Sequence, residues 1–210
     1  MLDNYIKLEN GLIKQDVVNK IDYNQDYINN SYNNYGLKTT QISHLRLGYI
    51  LGVIGKVPDS ILDVGYGNGE FLKTCSSVIP NCYGNDITGY PIPEGSTFIS
   101  DIYSHKFDVT CFFDVLEHFD DIYDIKHLKS EFIVVSLPNC HYYSDEWFEN
   151  WKHRRPNEHL WHFNSQSLIK FMREIGYRLV DISNVEDVVR NNNESYSNIL
   201  TGVFVKGVLF

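Results

Sequence analysis

Three alternate glycines follow a short apolar segment that carries an acidic residue, and this feature constrains the fold more than any other. Asp63 lies in the segment Ile61–Val64, and Gly65, Gly67 and Gly69 come next in the order Gly-x-Gly-x-Gly. A strand, a tight glycine turn and a helix N-terminus in that order let a ligand approach backbone N–H groups closely. The spacing differs from the Gly-x-Gly-x-x-Gly of dinucleotide-binding proteins, so the motif does not identify its ligand alone.

Segments with strand and helix character alternate along the chain. The apolar-rich run Phe107–Phe113 is typical of a central strand buried on both faces. The predicted helices are Leu37–Ile54, Gly69–Ser76 and a segment capped by Asn164 or Ser165 that ends near Ile175, before Gly176; the predicted strands are Ser60–Val64, Cys82–Asp86, Thr97–Ser100, Phe107–Phe113, Phe132–Leu137, Tyr177–Ser183 and Gly202–Val208. This alternation predicts an α/β fold with a doubly wound, mostly parallel sheet that binds its ligand at the carboxyl ends of the strands.

Length and composition indicate one domain. The chain has 210 residues, of which 43% are hydrophobic, so it can bury a full core. Residues 1–36 are polar and tyrosine-rich without a sustained hydrophobic period, and we expect them to form an arm or lid over the ligand site. Residues 37–210 are expected to form the domain itself.

The same composition disfavours several kinds of protein. A net charge of −9 argues against broad nucleic-acid binding, because that affinity depends on Lys and Arg neutralising phosphates. No apolar run approaches the ~20 residues of a membrane span, and the N-terminus lacks the character of a secretory signal, so a cytoplasmic protein is expected. The four cysteines show no Cys-x-x-Cys spacing and are predicted to be buried free thiols.

Further motifs follow the glycine turn at matching intervals. Asp86 ends the next predicted strand, Ser100-Asp101-Ile102 follows the third, and Phe113–Phe119 reads Phe-Asp-Val-Leu-Glu-His-Phe. In this order and spacing, the motifs resemble those of the class I S-adenosylmethionine-dependent methyltransferases, from about Leu37 to the C-terminus. The resemblance implies a Rossmann-like, seven-stranded sheet with an antiparallel C-terminal strand. It also implies S-adenosyl-L-methionine as cofactor and S-adenosyl-L-homocysteine as product.

The resemblance assigns cofactor contacts residue by residue. Asp86 corresponds to the acid that accepts the ribose hydroxyls, by the logic through which dinucleotide sites read ribose. Asp101 corresponds to the acid that binds the adenine amino group, and Ile102 to its apolar neighbour against the ring. The full set of implied cofactor-binding residues is Asp63, Gly65, Tyr66, Gly67, Asn68, Asp86, Ile87, Asp101, Ile102, Asp114, Val115 and Leu116.

The chain departs from the family around the third strand. Two prolines and two glycines between Asp86 and Thr97 disfavour a helix there, and the connection before Phe107 is too short for a full one. We therefore expect trimmed helices around this strand.

Histidines are the candidate general bases, because the ordinary pKa of histidine suits proton transfer near neutrality. His118 follows the fourth-strand motif, where family members meet both donor and substrate. His159 and His162 lie three residues apart in the region that borders the acceptor pocket of the family. The alternative for each of the three is an ordinary histidine that forms hydrogen bonds within a loop.

Aromatic residues are the candidate substrate-binding groups. Tyr23 and Tyr27 lie four residues apart in the arm, where their ring faces suit a sulfonium cation; surface or packing tyrosines are the alternative. His141 and Trp161 are further candidates beside the predicted pocket. The histidines do not show tight metal-ligand spacing, so no metal site is predicted.

The stretch Lys152-His153-Arg154-Arg155 has two interpretations. It is either a pocket for an anionic group of the acceptor or a solvated loop held to the core by the neighbouring tryptophans.

The resemblance favours a small-molecule acceptor. After the fourth strand the chain reads Asp114-Val115-Leu116-Glu117, which differs from the Pro-containing motifs of enzymes that methylate DNA bases. Together with Ser136–Asn139, this form is most similar to methyltransferases that modify quinone precursors and sugars. We predict O-methylation of a hydroxyl with a histidine base, by a monomer or homodimer. Methylation of RNA or protein, or a catalytically inactive methyltransferase-like binding protein, are the alternatives.

Overall fold

The structure is a computed structural model that describes residues 4–16, 18–19 and 37–207. Ten strands and five helices alternate along these residues. The strands are β1 (Tyr5–Lys7), β2 (Ile13–Gln15), β3 (Ser60–Val64), β4 (Asn81–Asn85), β5 (Ser96–Phe98), β6 (Val109–Phe113), β7 (Phe132–Pro138), β8 (Trp161–His162), β9 (Tyr177–Ser183) and β10 (Ile199–Lys206). The helices are α1 (Leu37–Ile54), α2 (Glu70–Cys75), α3 (Asp145–Asn150), α4 (Ser165–Glu174) and α5 (Asp187–Arg190), and two 3₁₀ turns cover Leu116–His118 and Ile122–His127.

A seven-stranded sheet forms the centre of the protein, in the order β5-β4-β3-β6-β7-β10-β9. The first five strands in that order are parallel, and β10 runs antiparallel between β7 and β9. The predicted α/β fold with an antiparallel C-terminal strand is therefore confirmed. The positions of α1, β3 and β9 agree with the prediction to the residue, whereas β10 begins three residues earlier than predicted.

The central strands are buried on both faces because alternate side chains enter two separate apolar clusters. Leu62 of β3 and Phe112 of β6 belong to the cluster that includes residues of α4. Ile61 and Cys111, their neighbours in the sequence, belong to the cluster on the other face, which includes residues of α1 and α2. All four cysteines are free and buried, as the sequence predicts.

Capping residues fix the ends of α4. The Asn164 side chain accepts a hydrogen bond from the Ser167 backbone N–H, and the Ser167 hydroxyl accepts one from the Asn164 backbone N–H. The two bonds form a capping box. Gly176 follows the helix with φ +90°, a conformation that glycine adopts without strain. The segment between Asp86 and β5 contains no helix, which confirms the trimming expected from its prolines and glycines.

Residues 4–16 form a β-hairpin that joins a second, small antiparallel sheet. In this sheet β2 pairs with β1 on one side and with β8 on the other. Hydrogen bonds between Gln15 and Asn157 hold the hairpin to the loop that precedes β8. Tyr23 and Tyr27, the predicted lid aromatics, lie outside the described residues.

Candidate active site

One cavity of about 740 Å³ opens at the carboxyl ends of β3, β4 and β6. Its size is in the usual range for small-molecule sites, and its position is the one expected for a ligand of a doubly wound sheet. The wall includes the glycine turn after β3, the first turns of α1, the loop after β6 and residues 153–159. Ten of the twelve predicted cofactor residues line it, all except Asp101 and Leu116.

The glycine turn packs tightly against the loop after β6. Gly65 has φ +72°, and a Cβ atom added to it would lie 2.3 Å from a methyl carbon of Val115. Any side chain at this position would therefore displace the loop that carries Asp114, and it would also strain the backbone. Gly67 donates its backbone N–H to Asp86 Oδ2 at 2.9 Å, which joins the ends of β3 and β4.

Asp86 is held rigidly in the cavity wall. Its Oδ1 accepts hydrogen bonds from the backbone N–H and the hydroxyl of Thr88, at 2.8 and 2.6 Å. With the bond from Gly67, three of the roughly four acceptor positions of a carboxylate are in use. Asp86 can accept from one further donor as it stands, or from two if the Thr88 hydroxyl turns away.

Asp63 is buried in the wall with one oxygen unpartnered. Its side chain is 3% exposed, and Oδ1 has no hydrogen-bond partner. Burial raises the pKa of this carboxyl to about 7, although the Arg46 charge opposes the shift. An orphaned buried acceptor of this kind costs free energy until a donor reaches it.

The adenine side of the predicted site is only partly as expected. Ile102 and its neighbour Tyr103 line the cavity, but the exposed Asp101 does not. The Asp101 carboxylate instead accepts the backbone N–H of Tyr103 at 2.9 Å, because it sits at the start of a turn. Leu116 is also placed elsewhere, since it is fully buried in the apolar cluster below the loop.

Four charged side chains form a network that we call the ion-pair network: Arg46 of α1, Asp114 after β6, and Glu186 and Arg190 at α5. Arg46 donates to Glu186 at 2.8 Å and 3.0 Å, and Arg190 donates to Glu186 at 2.9 and 2.7 Å. Both arginines also donate to Asp114 Oδ2. Burial opposes ionisation of Asp114, but Arg190 and Arg46 outweigh it and hold its pKa below the usual range. The two positive and two negative charges compensate each other.

A second polar group lies three residues further along the loop, and we call it the Glu117 cluster: Glu117, His118 and His159. One ligand-type atom from each residue lies within 4.8 Å of the others, and the two imidazole rings meet edge to face at 4.7 Å. Glu117 is 2% exposed, and neither of its carboxylate oxygens has a hydrogen-bond partner. Burial, with the Asp114 charge added, raises the pKa of Glu117 well above its ordinary value.

Both histidines of this cluster are neutral at neutral pH. Burial lowers the pKa of His118, and burial together with the His118 charge lowers the pKa of His159. His159 Nδ1 donates to the His153 carbonyl at 2.8 Å, because a carbonyl can only accept, and this leaves Nε2 as an acceptor.

The cavity wall does not include the predicted catalytic residue His162 or the predicted substrate residues Trp161 and His141. His162 is 3% exposed and packs among Tyr5, Phe148 and Trp151, since β8 directs it into the small sheet. Trp161 points to the opposite side, where it is buried and donates Nε1–H to the Phe119 carbonyl. His141 donates to the Ser197 carbonyl and stacks on Tyr143, outside the cavity wall.

The basic stretch is divided between different surroundings. His153 and Arg155 line the cavity, and Arg155 pairs with Glu158 at 3.1 Å. Arg154 lies over the Tyr5 ring, 5.9 Å from its centroid. Lys152 lines a separate surface hollow beside Trp147.

Sequence reasoning missed Glu117 and the partners of Asp114. Arg46 and Glu186 lie 140 positions apart, and no local pattern connects them. Glu117 lies in the motif Phe113–Phe119, three residues after Asp114 and adjacent to His118. That spacing was the available signal, because a short turn after a strand brings such side chains to one side.

Comparison with known proteins identifies relatives of this fold. The sequence matches the family described as methyltransferase domain over residues 43–182. No curated protein sequence is similar enough to count as a match. No helix among the described residues is both long and apolar enough to cross a membrane.

Several solved structures share the fold at low sequence identity. The plantazolicin methyltransferase BpumL, solved with a pentazolic desmethylPZN analog and SAH, has a TM-score of 0.59 and 16% identity, covering 87% of this chain and 91% of that chain. Magnesium protoporphyrin IX methyltransferase from Synechocystis PCC 6803 with bound SAH has a TM-score of 0.57 and 15% identity, covering 81% and 84%. An S-adenosylmethionine-dependent methyltransferase from Clostridium acetobutylicum ATCC 824 has a TM-score of 0.58 and 12% identity, covering 79% and 91%.

Proposed function

The chain belongs to the methyltransferase domain family, with the class I fold of the S-adenosylmethionine-dependent enzymes, and on that premise we propose that it methylates a hydroxyl of a small molecule. The observation that carries this proposal is that a single cavity contains both the glycine turn and the His118–His159 pair. Such a cavity offers room for the donor beside groups that can accept a proton, which supports methyl transfer to a hydroxyl.

The residues of the turn suit S-adenosylmethionine, which supplies a methyl group activated by its sulfonium. The unpartnered Asp63 Oδ1 suits the ammonium of the methionyl portion. Asp86 has acceptor capacity for a ribose hydroxyl, and Ile102 and Tyr103 offer apolar and aromatic surface to the base. The glycines leave the space in which backbone N–H groups approach the ligand.

The charge of the cavity favours a small acceptor that is not a polyanion. Eight carboxylates line the cavity, against three guanidiniums. Two of those guanidiniums, on Arg46 and Arg190, are already engaged in the ion-pair network. Only Arg155 is outside that network, and it pairs with Glu158. Phosphate groups are repelled by such a surface, so a neutral or cationic molecule is the better fit.

The Glu117 cluster is the place where the acceptor loses its proton. His118 and His159 are neutral, and the Nε2 atom of His159 is an acceptor. A hydroxyl that donates to one of these rings is positioned for in-line attack on the methyl group. His162 has no part in this step, because it is buried in the small sheet away from the cavity.

Calorimetric titration of S-adenosylhomocysteine tests the cofactor site. We expect micromolar binding by the wild type and a loss of about tenfold or more in the D86A protein, since a buried hydrogen bond to a charged group contributes about 1.5–3 kcal/mol. Asp101→Ala is the matched control, because the Asp101 side chain caps its own turn outside the cavity and its removal should preserve affinity.

An acceptor screen then tests the reaction itself. Formation of S-adenosylhomocysteine is measured with phenols, sugars and other hydroxylated molecules, and with short RNA for comparison. A hydroxyl acceptor whose turnover falls in the H118A protein, with cofactor affinity unchanged, supports the proposal. Turnover with RNA alone contradicts it, and a wild type that binds no cofactor indicates a binding protein instead of an enzyme.

A further inference from the structure

The carboxylate of Glu117 lies in the cavity wall without a hydrogen-bond partner among the described residues. It is 2% exposed, and both of its oxygens lack hydrogen-bond partners. The nearest charges include Asp114, whose sign is the same. A buried carboxylate without donors costs several kcal/mol or takes up a proton, and a cationic ligand at the cavity wall would offset that cost.

Two imidazole rings complete a set of metal ligands around this carboxylate. Ligand-type atoms of Glu117, His118 and His159 lie within 4.8 Å of one another, so small side-chain rotations would bring all three to ordinary ligand distances of about 2.0–2.2 Å from one ion. Two imidazole nitrogens and one carboxylate oxygen form a set that first-row divalent cations such as Mn²⁺ and Zn²⁺ accept.

The hydrogen bond of the His159 ring is of the kind that metal-binding histidines usually make. His159 Nδ1 donates to the His153 carbonyl at 2.8 Å. His118 is hydrogen-bonded to the backbone of Glu158. In metal sites, the second ring nitrogen commonly donates to a backbone carbonyl, which fixes the tautomer and points the remaining lone pair at the ion.

The backbone also holds the two ligand-bearing segments together. Leu160 donates its N–H to the Glu117 carbonyl at 2.8 Å, immediately beside His159. The segment around His159 is further braced by the hydrogen bonds between Asn157 and Gln15 of the hairpin. These contacts place the three side chains on preorganised backbone, so binding an ion requires little rearrangement.

From these contacts we infer that Glu117, His118 and His159 bind one divalent first-row metal ion at the acceptor end of the cavity. Three protein ligands leave coordination positions open toward the cavity, as in catalytic metal sites. The inference deepens the proposed function: an acceptor oxygen bound at an open position becomes more acidic. With the ion bound, His118 and His159 would hold the metal, so the ion replaces the direct histidine base of the proposed function and the proton of the acceptor passes to water in the open cavity. This departs from the absence of a metal expected from the sequence.

Titration of Mn²⁺ into chelator-treated protein tests the site. We expect one Mn²⁺ per chain in the wild type, weaker binding of Mg²⁺ because the set contains two nitrogen ligands, and a loss of about 100-fold or more in E117Q and H159N proteins, since even changes to groups that hydrogen-bond to metal ligands cost about 10–100-fold. The H44A protein is the matched control, because His44 is an exposed histidine on α1 outside the cavity.

Titration of S-adenosylhomocysteine into the same samples separates this inference from the proposed function. Retained cofactor binding by E117Q and H159N proteins shows that they are folded, so that their loss of Mn²⁺ is assigned to the ligands. The inference is overturned if a wild type that binds the cofactor takes up no Mn²⁺ or Zn²⁺, or if both variants bind Mn²⁺ as tightly as the H44A protein. Binding of Mn²⁺ without cofactor binding supports the metal site and overturns the methyltransferase proposal.

Discussion

Asp114 and Glu117 lie three residues apart after β6, yet their surroundings are opposite. Asp114 accepts hydrogen bonds from Arg46 and Arg190, and these arginines also bind the fully buried carboxylate of Glu186. Glu117 is just as deeply buried as Glu186, but no described donor reaches either of its oxygens. One region balances its charges internally. The other holds a carboxyl group whose pKa is raised by burial, and a cation from outside the chain would stabilise its charged form.

The contrast separates a structural role from a functional one. The ion-pair network joins α1, the loop after β6 and α5, three segments that are distant in the sequence. Its charges are compensated, so it fixes geometry and offers little to a ligand. The Glu117 cluster lowers stability where it stands, and such a group is retained where function requires it.

Removing one member of the ion-pair network should have the largest effect on stability. In the E186Q protein the Arg46 and Arg190 charges lose the more deeply buried of their two shared carboxylates, so we expect a loss of about 3–5 kcal/mol in the free energy of unfolding. Urea denaturation measures it. A loss below about 1 kcal/mol would show that the network is solvated and would remove its contrast with Glu117.

Asp63 is intermediate between the two regions, because Arg46 is nearby but Oδ1 has no partner. Its pKa is raised by burial from 3.8 to about 7, so at pH 5 the folded state holds a proton that the unfolded state has lost. Raising the pH to 8 forces a buried charge, and this carboxyl then costs the wild type about 2–3 kcal/mol between pH 5 and pH 8.

The D63N protein should lack this contribution, which identifies Asp63 as its source. Urea denaturation of both proteins at pH 5 and pH 8 gives four free energies, and the wild type should lose the additional 2–3 kcal/mol as the pH rises. Equal pH dependence in the two proteins would mean that Asp63 is ionised at both pH values. In that case Asp63 would be ionised at both pH values, as expected for Asp114 with its lowered pKa, and would differ from Glu117 with its raised pKa.

The sequence predicts contacts between adjacent parallel strands better than contacts between segments that are far apart in the chain. The turn Gly65–Gly69 and Asp86 lie at the ends of adjacent parallel strands, and the order of strands brings them together. His159 and His162 are equivalent in the sequence, but the pairing of β8 with β2 sends only His162 into the small sheet. That pairing depends on a hairpin formed by residues 4–16, a segment without a sustained hydrophobic period that we expected to be an arm or lid, so the sequence could not separate the two histidines.

Removing the Glu117 carboxylate should raise the free energy of unfolding, whereas removing the Glu186 carboxylate should lower it. Methionine has a similar volume and leaves no polar atom without a partner, so in chelator we expect the E117M protein to be more stable by about 1–2 kcal/mol. Urea denaturation in chelator and in excess Mn²⁺ measures the difference. Added Mn²⁺ should stabilise only the wild type, because an ion that binds the folded state raises the free energy of unfolding.

A stability loss in chelator would contradict this prediction. It would show that Glu117 has donors within the protein, such as water held in the cavity, and that the two regions differ less than their contacts indicate. The H44A protein provides the reference for Mn²⁺ binding elsewhere on the surface, since His44 is exposed on α1.

The smallest effect is expected where a charge pair is exposed. Lys56 and Glu131 approach to 3.5 Å with side chains 51% and 43% exposed, so water already screens both charges. The E131Q protein should therefore change by less than about 1 kcal/mol in urea denaturation, although the substitution is chemically the same as Glu186→Gln. Because the two substitutions differ only in burial and in the number of partners, the ratio of their effects measures how much the burial of the ion-pair network contributes. Similar losses in both proteins would mean that a Glu→Gln change is costly anywhere in this fold, and the difference between Asp114 and Glu117 would then need another cause.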